Sequence, residues 1–217
     1  MKNLKPLYDD IKIEFKILST REVNQRMMKK APHYLAVFSE VKEGYKTNIG
    51  FIMQQIDLFL SANDIGSCWQ GIPSITKEVQ KSTYLKFIIL IAFGKAKEIL
   101  YRSDISEFKR KTYPEISSNT DIPEIIEAAR MAPSATNSQP WFFTGDESII
   151  HAYMCKPGLL KKIITGRYPP IDMGIALCHL NIAAEHFGKK TKLVFDESAA
   201  KEHPHNSEYV TSLKITG

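Results

Sequence analysis

Residues 11–18 alternate between apolar and polar positions. Ile11, Ile13, Phe15 and Ile17 are apolar, and Lys12, Glu14 and Lys16 are polar. A period of two predicts a strand with one wet face. Residues 34–39 (YLAVFS) and 87–93 (FIILIAF) are short apolar runs rich in branched and aromatic side chains, and they read as buried strands. Between them the period changes. From Asn48 to about Ala62, Ile49, Ile52, Met53, Ile56, Phe59 and Leu60 fall at offsets 0, 3, 4, 7, 10 and 11, one face of a helix. Asn63-Asp64-Ile65-Gly66 supplies a stop.

The second half repeats the plan. Residues 122–131 predict a helix with Asp121 as N-cap and Pro123 at its first position. Residues 141–144 and 149–155 predict strands joined through Gly145-Asp146. A helix is expected from Asp172 to about Phe187, ended by Gly188. Its apolar face is Met173, Ala176, Leu177, Leu180, Ala183 and Ala184, at the same offsets as in the first helix. Strands at 192–196 and 209–216 close the chain. The triplets Asn48-Ile49-Gly50 and Asp172-Met173-Gly174 open the two long helices, and a glycine follows each. A shared apolar phase is weak evidence on its own. The shared triplet and terminal glycine point to an internal duplication. Residues 101–120, charged and then Ser- and Asn-containing, read as the linker.

Composition narrows the class of protein. A chain of 217 residues accommodates one large or two small domains. No apolar run approaches the ~20 residues of a membrane span. The N-terminus lacks the apolar segment of a secretory signal. Cys68, Cys155 and Cys178 form neither a disulfide framework nor a CxxC pattern. A cytoplasmic protein is expected. The net charge of +5 suits an anionic ligand. No basic stripe interleaved with aromatics points to nucleic acid. The six histidines show no HExxH or paired spacing, so no metal site is expected.

The motif-bearing residues resemble a known family. Glu127-Ala128-Ala129-Arg130-Met131, then Ala132-Pro133-Ser134-Ala135-Thr136-Asn137-Ser138-Gln139-Pro140-Trp141, resembles the nitroreductase motif of a helix, PSxxNxQPW and a strand. Gly66-Ser67-Cys68-Trp69-Gln70-Gly71 resembles the family's second signature, a loop after the long central helix. Phe93-Gly94, and then Phe108-Lys109-Arg110-Lys111, resemble the segment that closes a conventional member. The half with the first central helix precedes the PSxxNxQPW half. That order is similar to the subgroup of putative TM nitroreductases, where one chain mimics the two-subunit family dimer. The resemblance runs from about Tyr34 to Asp196.

It implies an α+β, FMN-dependent nitroreductase-like sandwich with halves at 1–110 and 111–217 and FMN held at their interface. Pro133, Ser134, Ala135, Asn137 and Gln139 would touch the flavin from one side. Trp69, Gln70 and Gly71 would present backbone groups near the reactive ring, and Arg110 would hold the phosphate. NAD(P)H and a nitroaromatic, quinone or related acceptor would be the small-molecule partners of a monomer or homodimer. No catalytic side chain is assigned, because the flavin carries this chemistry.

Other readings of the same residues stand beside these. The polar set at 134–139 also suits a capped turn after a helix. Arg110 also suits a solvated linker charge. The Trp69 ring suits core, Cys68 a packed thiol and His179 a satisfied, partly buried histidine. No RSxR motif, the family's other phosphate anchor, precedes Ile11, and residues 6–15 do not match PSxxNxQPW. At most one flavin per chain is therefore expected. A flavin-binding or flavin-free module without turnover is the alternative function. Another flavin chemistry of the superfamily, such as dehalogenation or flavin fragmentation, is the third.

Overall fold

The computed structural model describes residues 4–24, 29–96, 102, 104–119, 121–156, 158 and 166–217. The chain divides into two compact units, Met1–Ser103 and Asp104–Gly217. This division differs from the expected one after Arg110. It places Arg110 with the second unit, where its side chain is bonded.

In the first unit, strands β1 (Ile13–Leu18), β3 (His33–Ser39), β6 (Lys86–Lys95) and β4 (Ile65–Gln70) form a sheet in the order β1-β3-β6-β4, with every neighbouring pair antiparallel. A two-stranded ribbon pairs β2 (Val23–Asn24) with β5 (Ser74–Ile75). Helix α1 (Tyr45–Ala62) joins β3 to β4 and packs against both. The short α2 (Lys77–Lys81) precedes β6. Alternation along the strands sorts the side chains by face. Tyr34, Ala36, Phe38, Leu90 and Ala92 form one core cluster with Leu18, Val23, Val79 and Leu85. Leu35 and Ile91, cross-strand partners, lie on the other face, which Trp69 shares through its pairing with Ile91. Most of the α1 stripe is buried, but Phe59 is 64% exposed. Phe59 sits in the last turn on the flank of the stripe, where the helix runs out.

The residues expected to form a loop after α1 form strand β4. Two glycines bracket this segment and give it the composition of a turn. The ten-residue β6 offers a continuous ladder from Ile65↔Lys95 to Gln70↔Leu90, and that tertiary pairing overrides local propensity.

The second unit forms its sheet from β7 (Trp141–Gly145), β8 (Ile149–Cys155), β10 (Ser207–Thr216) and β9 (Lys190–Val194), antiparallel in the order β7-β8-β10-β9. Helix α5 (Pro169–His186) joins β8 to β9, and the short α6 (Glu197–Lys201) joins β9 to β10. Helix α4 (Pro123–Arg130) packs on α5. The N-cap of α4 is Ile122, without a side-chain bond, rather than Asp121. The expected linker is structured over 104–119. A 3₁₀ turn and α3 (Tyr113–Ile116) each open on a capping box, Asp104 with Glu107 and Thr112 with Glu115. Ser117 makes a parallel bridge to Phe143 of β7.

Both units therefore share one plan. Setting the β2–β5 ribbon aside, the four strands in chain order take sheet positions first, second, fourth and third. An 18-residue helix joins the second strand to the third, a 5-residue helix the third to the fourth, and the last strand has 10 residues. No helix among the described residues is long and apolar enough to cross a membrane.

Candidate functional site

The PSxxNxQPW run follows α4. Pro133 removes a donor and restricts Ala132, so the helix stops. A single 3₁₀ turn over Ala135–Asn137 comes next, with Thr136 and Asn137 in the left-handed region at φ 54° and 55°. Gln139, before Pro140, is left-handed at φ 47°. Each such non-glycine residue costs on the order of 1 kcal/mol or more, and strained backbone of this kind gathers at ligand sites.

A dense set of hydrogen bonds holds that backbone. The Ser134 Oγ accepts the Gln139 N–H at 2.9 Å. The Gln139 side chain is buried. Its Nε2 donates to the Asn137 carbonyl, and its Oε1 accepts the Lys111 N–H at 2.8 Å. Asn137 Nδ2 donates to the Lys109 carbonyl at 2.6 Å, and Asn137 Oδ1 accepts from Arg110 Nη1 at 2.9 Å. Arg110 also gives Nε and Nη2 to the Met131 carbonyl at 3.3 and 3.0 Å, closing the C-terminal end of α4. Arg130, paired with Glu127, donates Nη1 to the Lys111 carbonyl. Segment 109–111 is thus stitched to the loop. The structure brings Arg110, Ser134, Ala135, Asn137 and Gln139 together with Pro133 beside them. The side chains of Asn137 and Gln139, expected to face a ligand, are engaged in shaping the loop. So are three donors of Arg110.

Behind the loop lies Asp172, 2% exposed, in the first turn of α5. Its Oδ1 accepts the Ala135 N–H at 2.9 Å. Burial pushes its carboxyl up to about 7, opposed by that bond. Its Oδ2 is buried without a partner, as are Ser138 Oγ and Trp141 Nε1. A buried polar atom left unpaired costs about 1–3 kcal/mol, so such atoms mark places for water or a ligand. Further along α5, burial pushes the His179 imidazole down to about 4, against its bond to the Ala128 carbonyl. His179 is therefore neutral at pH 7 and a weak base, with its ring bonded to the Ala128 carbonyl.

Trp69, Gln70 and Gly71 lie in the first unit at the end of β4. The Trp69 indole donates Nε1 to Asp57 Oδ2 of α1 at 3.3 Å, and Ser67 Oγ donates to Asp57 Oδ1 at 2.5 Å. The ring is pinned to the helix and half-buried. Gln70 is buried, with Oε1 accepting the Lys29 N–H and Nε2 beside the Cys68 sulfur. Cys68 is exposed rather than packed. Desolvation around its sulfur still raises the thiol pKa, so it is a poor nucleophile. Among the described residues no group of three or more His, Cys, Asp or Glu side chains could hold a metal.

Asp172 and Lys111 are the site residues that motif matching passes over. The signal for Asp172 was present in the paired helix openings. Asn48 and Asp172 are each the fourth residue of their helix. Asn48 Oδ1 accepts the N–H groups of Leu7 and Tyr8 at 2.8 and 3.1 Å. Leu7 and Ala135 each stand six residues ahead of the first strand of their unit.

The chain is similar to known proteins in fold and in sequence. A putative nitroreductase from Thermotoga maritima is similar in structure, with a TM-score of 0.64 and 21% identity over 99% of this chain and 80% of that one. A putative NADH oxidase from Clostridium acetobutylicum is matched over 49% of this chain and 77% of its own, at 15% identity and a TM-score of 0.34. No curated protein matches. The family described as putative TM nitroreductase matches residues 1–184. With that match over most of its length, and with an α+β fold like that of the Thermotoga protein, the chain belongs to the putative TM nitroreductase family.

Proposed function

We propose that the chain is an FMN-dependent oxidoreductase of nitroreductase type, which oxidises NAD(P)H and reduces a nitroaromatic, quinone or related acceptor. The observation that carries this reading is the 134–139 loop. Its left-handed residues are locked by bonds, and buried polar atoms without partners lie in it and behind it, at Ser138, Trp141 and Asp172. Family membership supports the oxidoreductase class.

FMN, when bound, would supply the two-electron chemistry. The chain would bind and orient it. Pro133, Ser134, Ala135, Asn137 and Gln139 are the proposed cofactor contacts in the second unit. The main chain of Asn137 and Gln139 is the better candidate there, since their side chains are engaged. In the first unit the proposed contacts are Trp69, Gln70 and Gly71. Gln70 Nε2, a buried donor beside the Cys68 sulfur, suits a flavin carbonyl. Arg110 turns its guanidinium to Met131 and Asn137, which favours loop shaping over a grip on phosphate. No side chain is assigned as acid or base.

The matching plan of the two units supports descent from one duplicated ancestor, in which the first copy lost its PSxxNxQPW. A monomer or homodimer in the cytoplasm is part of the same proposal. A flavin binder without turnover is the second reading, favoured by the engagement of Arg110. Anaerobic addition of NADH or NADPH to the FMN-loaded protein separates the two. Bleaching of the visible flavin band, and its return on adding a quinone or nitroaromatic, is the expected result. Bound flavin that is never bleached would leave the second reading.

A further inference from the structure

The two central helices solve one local problem with different chemistry. In α1 the fourth residue is Asn48, a neutral amide with both ends satisfied. Its Oδ1 accepts two N–H groups, and its Nδ2 donates to the Tyr8 carbonyl at 3.1 Å. In α5 the same position is Asp172. It is buried as deeply, yet it makes one bond, to the Ala135 N–H, and leaves Oδ2 unpaired. An amide would hold the segment at no electrostatic cost. A carboxyl there is expensive whenever it is ionised.

The protein elements around Asp172 do not neutralise it. Helix α4 carries Glu124, Glu127 and Arg130. β8 carries His151, Tyr153 and Cys155, and β9 carries Lys190 and Lys192. Helix α5 itself carries Cys178, His179, Glu185 and His186. Arg110 and Lys111 reach the loop from their own segment. Among the described residues none of these contributes to the shift of Asp172, which arises from burial against the one Ala135 bond. With no cation among the described residues acting on it, the group can exchange a proton.

We propose that Asp172 is the positioning residue of the PSxxNxQPW loop, and that the charge on its carboxyl sets how firmly Ala135 and the left-handed turn after it are held for the cofactor. The proton is taken up at Oδ2 and comes from solvent, while Oδ1 remains the acceptor for Ala135. When ionised, the group makes a charge-assisted bond, roughly twice as strong as the neutral one. The turn at Thr136 and Asn137 is held more firmly in that state. The cofactor part of this inference rests on the reading of the loop as a flavin seat; the coupling of charge to loop does not.

The test is a titration of the cofactor-free full chain by amide NMR from pH 5 to 9. The Ala135 N–H resonance is expected to move with a single midpoint near 7 in the wild type and to stay flat in Asp172→Asn. A wild-type Ala135 resonance that does not titrate in this range overturns the proposal even if the variant fails to fold. So does a variant that titrates like the wild type. Riboflavin, which lacks the phosphate and its own titration, then probes the cofactor arm. Wild-type affinity is expected to be several-fold weaker at pH 6 than at pH 8, a ratio that Asp172→Asn abolishes. A titrating Ala135 in a chain that binds no flavin would retain the coupling and remove the flavin reading. Flavin binding that depends equally on pH in both proteins would remove the cofactor arm.

Discussion

Asp172 and His179 sit on one helix and shift in opposite directions, and their effects on stability oppose each other. The Asp172 carboxyl is raised from 3.8 to about 7. The folded chain holds that proton more tightly than the unfolded one. The resulting stabilisation is full below about pH 4 and is lost as pH rises to about 7. The His179 imidazole is lowered from 6.5 to about 4. Its favourable state is neutral, so its contribution is full above about pH 6.5 and is lost as pH falls towards 4. At ~1.4 kcal/mol per pKa unit, the full shifts correspond to roughly 4 kcal/mol for Asp172 and roughly 3 kcal/mol for His179, and the part of each that falls between pH 4.5 and 7 is on the order of 3 kcal/mol. Wild-type stability, measured by urea unfolding, should therefore change little from these two groups between pH 4.5 and 7. Asp172→Asn should unmask the histidine and lose stability on acidification by on the order of 3 kcal/mol. His179→Gln should instead gain stability on acidification. Parallel curves for the wild type and both variants would refute the assignment.

Among the elements, the hairpin between β7 and β8 shows local chemistry acting alone. Asp146 Oδ1 accepts the N–H groups of Ser148 and Ile149 and the Ser148 hydroxyl, which closes the turn and lowers its own pKa. Gly145 is at φ 109°, and a Cβ there would lie 2.1 Å from the Ile149 carbonyl oxygen. Gly145→Ala should cost about 2 kcal/mol or more, read as a lower urea midpoint with an unchanged slope. An alanine variant as stable as the wild type would show that the turn relaxes.

Such turns, and the apolar stripes of α1 and α5, were legible because period and turn residues act within a few positions. Strand β4 was not, since its partner β6 lies twenty residues downstream and its own glycines suggest a turn. The exposure of Phe59 escaped the pattern for a similar reason: offset fixes an azimuth, not where the core ends. Within the PSxxNxQPW loop the residues were legible and their roles only partly so. Nothing in the spacing reveals that Gln139, Asn137 and Arg110 bond to one another, because the 109–111 segment arrives from before α4.

The plan of the whole molecule is one topology used twice. The same sheet order, an 18-residue and a 5-residue helix in the same places and the same fourth-residue anchor recur in Met1–Ser103 and Asp104–Gly217, while α3 and α4 belong to the second unit. The halves differ where function is proposed. Around Ala135 the anchored segment carries left-handed residues and is held by an ionisable group. Leu7 and Tyr8 are held by an amide. That asymmetry predicts a single flavin site per chain despite the doubled fold. The most direct test is a titration of the purified full chain with FMN, followed by flavin fluorescence and visible absorbance. Saturation at one FMN per chain is the result this account predicts. Absence of saturable binding would contradict it, and so would saturation at two per chain.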